Sequence, residues 1–131
     1  MGAYTIKNLK ADVEDMAPKF GMAPGMEARF ARRPLECEQL GLSYERLAPN
    51  FRAPFGHTHE RQEEVYVLLS GSARVKVGDE IVELKHWDAL RVAPGTMRQF
   101  EAGADGAEII AVGAPTSGED DSELVTGWWS D

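Results

Sequence analysis

His57 and His59 stand one residue apart, and Glu64 follows at the head of the strongly β-forming run Val65-Tyr66-Val67-Leu68-Leu69. Side chains on a strand alternate faces with a period of two, so both imidazoles project to the same side and Glu64 shares a face with Tyr66 and Leu68. Two imidazoles and a carboxylate that converge form a donor set suited to Fe(II), Mn, Ni, Cu or Zn. Two histidines with one carboxylate already make the facial triad used by non-haem iron oxygenases. A lone histidine is commonly a packing or surface residue; an H-x-H pair followed by a carboxylate at this spacing is much less often accidental.

Residues 51–71 resemble the first motif of the cupin family, small β-barrels in which that motif is usually written G-x5-H-x-H-x3,4-E-x6-G. His57, His59, Glu64 and Gly71 fit it, with four residues between His59 and Glu64 and six between Glu64 and Gly71. Phe51 holds the place of the opening glycine, and the neighbouring Pro49-Asn50 can serve the same turn because asparagine tolerates left-handed backbone. The second motif, usually G-x5-P-x-G-x2-H-x3-N, is similar to residues 87–100, with Pro94 directly before Gly95. Arg98 stands where the third histidine falls, and Ala102 where the asparagine does. The resemblance implies an all-β, cupin-like double-stranded β-helix (jelly-roll) barrel with an irregular N-terminal extension. It also implies His57, His59 and Glu64 as metal ligands, Arg98 in the same cavity, and Tyr44 with Arg46 on a neighbouring strand.

Arg98 divides the readings. A guanidinium stays charged at any relevant pH, and a divalent ion 4 Å away at an effective dielectric near 20 meets a repulsion on the order of 8 kcal/mol before relaxation. A metal-bound cavity and a metal-free one, in which Arg98 pairs with Glu64, satisfy the sequence equally. In either, Arg98 offers a fork for a carboxylate or phosphate. Tyr66 is a hydrogen-bond donor or a core aromatic, and Tyr44 and Arg46 share a face that can line the cavity. Candidate catalytic groups are His57 or His59 as base, Tyr66 as acid and Arg98 as the group that orients an anionic substrate. Glu63, with Glu60 and Arg61, reads as solvated rim, and His86 as a turn residue outside the site. The expected function is binding of a small polar or anionic molecule in the barrel, with or without a divalent metal. A metal-free isomerase- or epimerase-like enzyme and a non-catalytic binding domain are the alternatives, and fold alone does not choose among them.

Composition narrows the partners. Fourteen basic against twenty-two acidic residues give a formal charge of −8, which argues against nucleic acid and anionic membrane as main partners. Cys37 is the single cysteine, so no internal disulfide forms, and Glu36 and Glu38 beside it disfavour a reactive thiolate. No leader pattern and no apolar run near eighteen residues is present, and a cytoplasmic setting is expected.

Short strands must position these residues. They are expected over 42–47, 65–69, 73–77, 81–84, 90–92, 97–100 and 108–112, with a tight hairpin at Gly78-Asp79, a turn at Pro94-Gly95 and a glycine-rich loop over 103–106. Earlier in the chain, 4–9 reads as a strand and 12–20 as a short helix capped by Asp12 and ended by Pro18. Outer strands are expected over 27–32 and 36–40. The 131 residues make one domain. Residues 1–40 form an N-terminal extension holding outer strands or dimer contacts, 41–115 the barrel core, and 116–131 a tail. That tail opens with an acidic loop over 118–121 and ends in Trp128-Trp129, whose indoles each bury roughly 150–250 Å². They are expected to dock on the barrel or on a second subunit, and the surplus of apolar surface predicts a homodimer.

Overall fold

A run of fifteen residues, Glu63–Val77, stays extended because β-branched and aromatic side chains recur on both of its faces. The computed structural model describes residues 2–116 and 121–131, so the loop expected over 118–121 lies, apart from Asp121, outside the described residues. Its strands are β1 (Met26–Phe30), β2 (Gly41–Leu47), β3 (Phe55–His59), β4 (Glu63–Val77), β5 (Glu80–Leu84), β6 (Ala89–Val92), β7 (Arg98–Ala114) and β8 (Ser122–Thr126). All pairings are antiparallel. β4 pairs β7 along its length and carries β6, then β5, on its other edge. β7 also pairs β2, which carries β1. β3 meets β7 at His57 and Arg98, and β8 lies along its other side. The sheet therefore curls around one core, in which Leu47, Leu68, Val75, Val92 and Ile109 are fully buried. Burying each stabilises the fold by roughly 1.5–3 kcal/mol. This is the double-stranded β-helix expected from the sequence.

The hairpin forms as read, with Val77 opposite Glu80 across Gly78-Asp79. Residues 103–106 do not leave the sheet as a loop; they lie within β7 as an irregularity where the register passes from Gly71 opposite Ala107 to Ala73 opposite Ala102. Gly71 adopts φ +77°, and a Cβ there would stand 1.9 Å from the Gly106 carbonyl oxygen. Asn50 adopts φ +60°, so asparagine supplies the left-handed turn beside Phe51.

Three local expectations fail. Residues 4–9 form no strand, and Asp12 caps no helix; its carboxylate accepts from the Asn8 N–H at 2.8 Å. The helix shrinks to a 3₁₀ turn, Ala17–Phe20, with Pro18 in its first turn. A fixed φ and a missing N–H are tolerated there, so this proline begins the turn rather than ending it. Residues 36–40 form no strand, because the chain closes a helical turn, α1 (Arg32–Leu35), and leaves it through Glu36 in left-handed conformation. β8 was not legible; its Ser122–Thr126 lies in the tail. Trp129 is buried beside the Arg52 guanidinium, 4.1 Å from its ring centre, and Lys76 lies 4.5 Å over Trp128. No helix among the described residues is long and apolar enough to cross a membrane.

Candidate metal and ligand site

β3 and β4 put their donors on the inner face of the barrel. His57 and His59 alternate with the outward Thr58, and Glu64 sits at the start of β4 two residues before the inward Tyr66. His57 Nε2 lies 3.5 Å and His59 Nε2 3.4 Å from Glu64 Oε1, and one ligand atom from each of the three falls within 4.8 Å of the others. The β3–β7 pairing places Arg98 opposite His57. Residues opposed across an antiparallel pair project to the same side, so the arginine arrives beneath the same carboxylate. Its Nη2 donates to Glu64 Oε1 at 2.9 Å, its Nε to the Tyr66 hydroxyl at 3.0 Å, and its Nη1 to the Thr96 carbonyl at 2.8 Å. Tyr66 in turn donates to Glu64 Oε1 and lies 3.3 Å from His57 Nε2.

Asp121 was not legible as a site residue. It anchors the third element of the site: Oδ1 lies 2.8 Å from His59 Nδ1, while Oδ2 accepts the Arg61 and Gln62 N–H groups at 2.8 and 3.0 Å. A carboxylate accepting from Nδ1 fixes the ring's orientation and turns Nε2 toward Glu64, where its lone pair serves a metal once the ring is neutral, the arrangement common to metal-ligating histidines. The chemistry of the donors thus fits a divalent ion on His57, His59 and Glu64.

Charge is distributed unevenly over the three. Burial works against ionised Glu64, but hydrogen bonds from His57, His59 and Tyr66 outweigh it and hold the carboxyl below its usual range. Burial lowers His57, assisted by the charge of Arg98 and opposed by Glu64. It pushes His59 the same way, yet the bonds to Glu64 and Asp121 prevail and raise it. Burial, with the charge of Glu64, pushes the Tyr66 hydroxyl well up, so it acts as a donor.

His57, His59, Glu64 and Tyr66 line a cavity of about 460 Å³. Its wall is mostly apolar, with Met22, Met26, Phe30, Phe55 and Phe100 among the lining residues. Arg98 does not reach the cavity surface; it is fully buried, and each of its three nitrogens donates inward, to Tyr66, Thr96 and Glu64. Tyr44 and Arg46 are not brought to the cavity either. Tyr44 donates to Glu108 beneath Lys10, and Arg46 donates to Glu27 at 3.1 Å. The residue between them, Glu45, lines it with Ser43. Period two is kept, but its phase is reversed: the N-terminal segment covers the outer face of β2, so an apolar Tyr44 is buried on the side away from the site. The parity of Leu47, fully buried in the core, was the signal that placed Glu45 inside. His86 stacks on Trp87 at 5.1 Å in a turn away from the site.

No protein-family model matches the sequence, and a search of the curated proteins finds no match. Solved structures do resemble it. The chain is similar to KdgF from Halomonas sp., at 19% identity and a TM-score of 0.68, over 90% of this chain and 97% of that one. It is similar to a cupin protein from Bacteroides fragilis at 23% identity and a TM-score of 0.71, over 92% and 91%. A mutant oxalate decarboxylase of Bacillus subtilis matches at 27% identity and a TM-score of 0.75, over 95% of this chain but 34% of that longer one.

Proposed function

The chain is a cupin by fold, and from that premise we propose that it binds a small molecule in its barrel beside a divalent metal held by His57, His59 and Glu64. The observation that carries this reading is Asp121 on His59 Nδ1 at 2.8 Å, which aims the opposite nitrogen at the point where His57 and Glu64 converge. Bound there, the ion supplies Lewis acidity to a polar or anionic head group. The protein supplies the rest. The wall around Met22, Met26 and Phe30 takes the apolar body of the ligand and excludes water, Tyr66 holds a proton close to the head group, and Arg98 fixes Glu64 and Tyr66 from below.

The Arg98–Glu64 ion pair favours a second reading, a metal-free isomerase- or epimerase-like enzyme. There His57, neutral and the most exposed of the triad at 26% of its side chain, takes a proton from substrate, and the buried Tyr66 hydroxyl donates one. A non-catalytic binding domain uses the same cavity without either step. Tag-free protein titrated calorimetrically with Mn, Fe(II), Ni, Cu and Zn is expected to bind one ion per chain, and His59→Ala to lose it. Equal, weak heats for both proteins remove the metal reading and leave the metal-free one.

We propose a cytoplasmic homodimer as its setting. Tyr4 and Ile6 are about four-fifths exposed on the N-terminal segment, at 79% and 80%, and such side chains support association. Trp128 and Trp129 no longer contribute to that argument, being engaged by Lys76 and Arg52. Solution scattering at micromolar concentration is expected to give the mass of two chains.

A further inference from the structure

Glu45 is the charged group of the cavity that the site does not use. Glu64 is matched by Arg98 and His59, and Asp121 by His59 and two backbone N–H groups. Arg32, the other charge on the wall, gives Nε and Nη2 to Thr116. Glu45 receives only the Ser43 hydroxyl, at 3.4 Å, and among the described residues no cationic side chain stands within ion-pair distance of it. The charge of Glu64 adds to its isolation. A half-buried carboxylate without a cation is costly, and the wall of the cavity it lines is mostly apolar.

A protonated nitrogen arriving on a ligand removes that cost. It gives Glu45 a charge-assisted hydrogen bond, and the phenylalanines that line the same cavity attract the same positive charge. We propose that the cavity selects a small amine, whose protonated nitrogen pairs with Glu45 and whose hydrocarbon part lies against Met22, Met26, Phe30 and Phe55. This deepens the reading of the cavity as a small-molecule site and rests on it. Arg98 cannot play the corresponding part for an anion, because it is sealed beneath Tyr66.

Calorimetric and thermal-shift titrations of the whole chain with benzylamine, benzyl alcohol and benzoate test the assignment, in the wild type and in Glu45→Gln. Benzylamine is expected to bind the wild type at least about tenfold more tightly than benzyl alcohol, and Glu45→Gln to abolish that preference while the alcohol binds as before. Glutamine keeps the volume and the bond to Ser43; should that variant fail to fold, Glu45→Leu removes the charge without leaving a polar group to bury. A preference for benzylamine over the alcohol that survives either substitution overturns the inference, since an amine held at the histidine triad behaves that way. Alcohol or benzoate bound with no preference for the amine overturns it too, while leaving the small-molecule cavity in place. No binding by any of the three overturns both.

Discussion

Arg98 Nη2 and Glu64 Oε1 form an ion pair of 2.9 Å on the same carboxylate oxygen that both imidazoles face. The guanidinium is fully buried and the carboxylate nearly so, at 0% and 13% side-chain exposure. Removing one partner leaves the other charged and dry. Arg98→Ala is therefore expected to destabilise the fold by roughly 3–5 kcal/mol in urea denaturation. Arg98→His restores an imidazole and removes a fixed charge, so divalent-metal affinity measured by calorimetry should rise at least about tenfold, about 1.4 kcal/mol. Unchanged affinity in the histidine variant would show that Arg98 does not oppose a metal.

Asp121 acts on the site through His59, which makes it a positioning residue. Asp121→Asn keeps the shape but replaces a charged acceptor of the Nδ1 proton by a neutral amide. Metal affinity is expected to fall about 10- to 100-fold, with the ion still bound one per chain. A loss no greater than that of a remote surface substitution such as Glu83→Gln would show that the carboxylate serves only the Arg61 and Gln62 N–H groups.

The barrel and its donor triad were legible because their signals are local. H-x-H spacing, the carboxylate five residues on, Gly71, the Gly78-Asp79 hairpin and the Pro94-Gly95 turn each state a backbone requirement in a few residues. Tyr44 and Arg46 were expected on the cavity side, and Glu45 was overlooked, because parity along a strand fixes which residues share a face, not which face points inward. That choice was made by the N-terminal segment, whose packing over β2 is a tertiary fact. Asp121 was invisible for a related reason: it sits in an acidic stretch that reads as solvated, and its bond to His59 spans sixty-two positions. Pro18 misled because the same ring that breaks a helix interior is at home in a first turn.

Gly71 tests the fold separately from the site. Its φ of +77° disfavours any side chain, and an added Cβ would meet the Gly106 carbonyl oxygen and carbon at 1.9 and 2.8 Å, both backbone atoms of the facing strand. Gly71→Ala must therefore open the β4–β7 ladder. A loss of at least about 2 kcal/mol in urea denaturation is expected. Gly78→Ala, at φ +57° with nothing within 4 Å of its Cβ, suffers only the backbone penalty and should lose less.

Glu45 gives stability a dependence on pH. Burial, followed by the charge of Glu64, raises its carboxyl to about 7 from an ordinary 4.5, against a smaller opposing bond from Ser43. A carboxyl raised on folding holds its proton more tightly in the native state than in the unfolded chain. It therefore costs nothing below the unfolded value and removes stability as pH climbs from there through the folded one. The full cost is on the order of 3 kcal/mol. Glu45→Gln, neutral throughout, should match the wild type near pH 4 and exceed it near pH 8 by about that amount in urea denaturation. Adding benzylamine near pH 8 should narrow the gap by stabilising the wild type more than the variant; equal stability of the two proteins at both pH values would show that Glu45 ionises as freely in the barrel as in water.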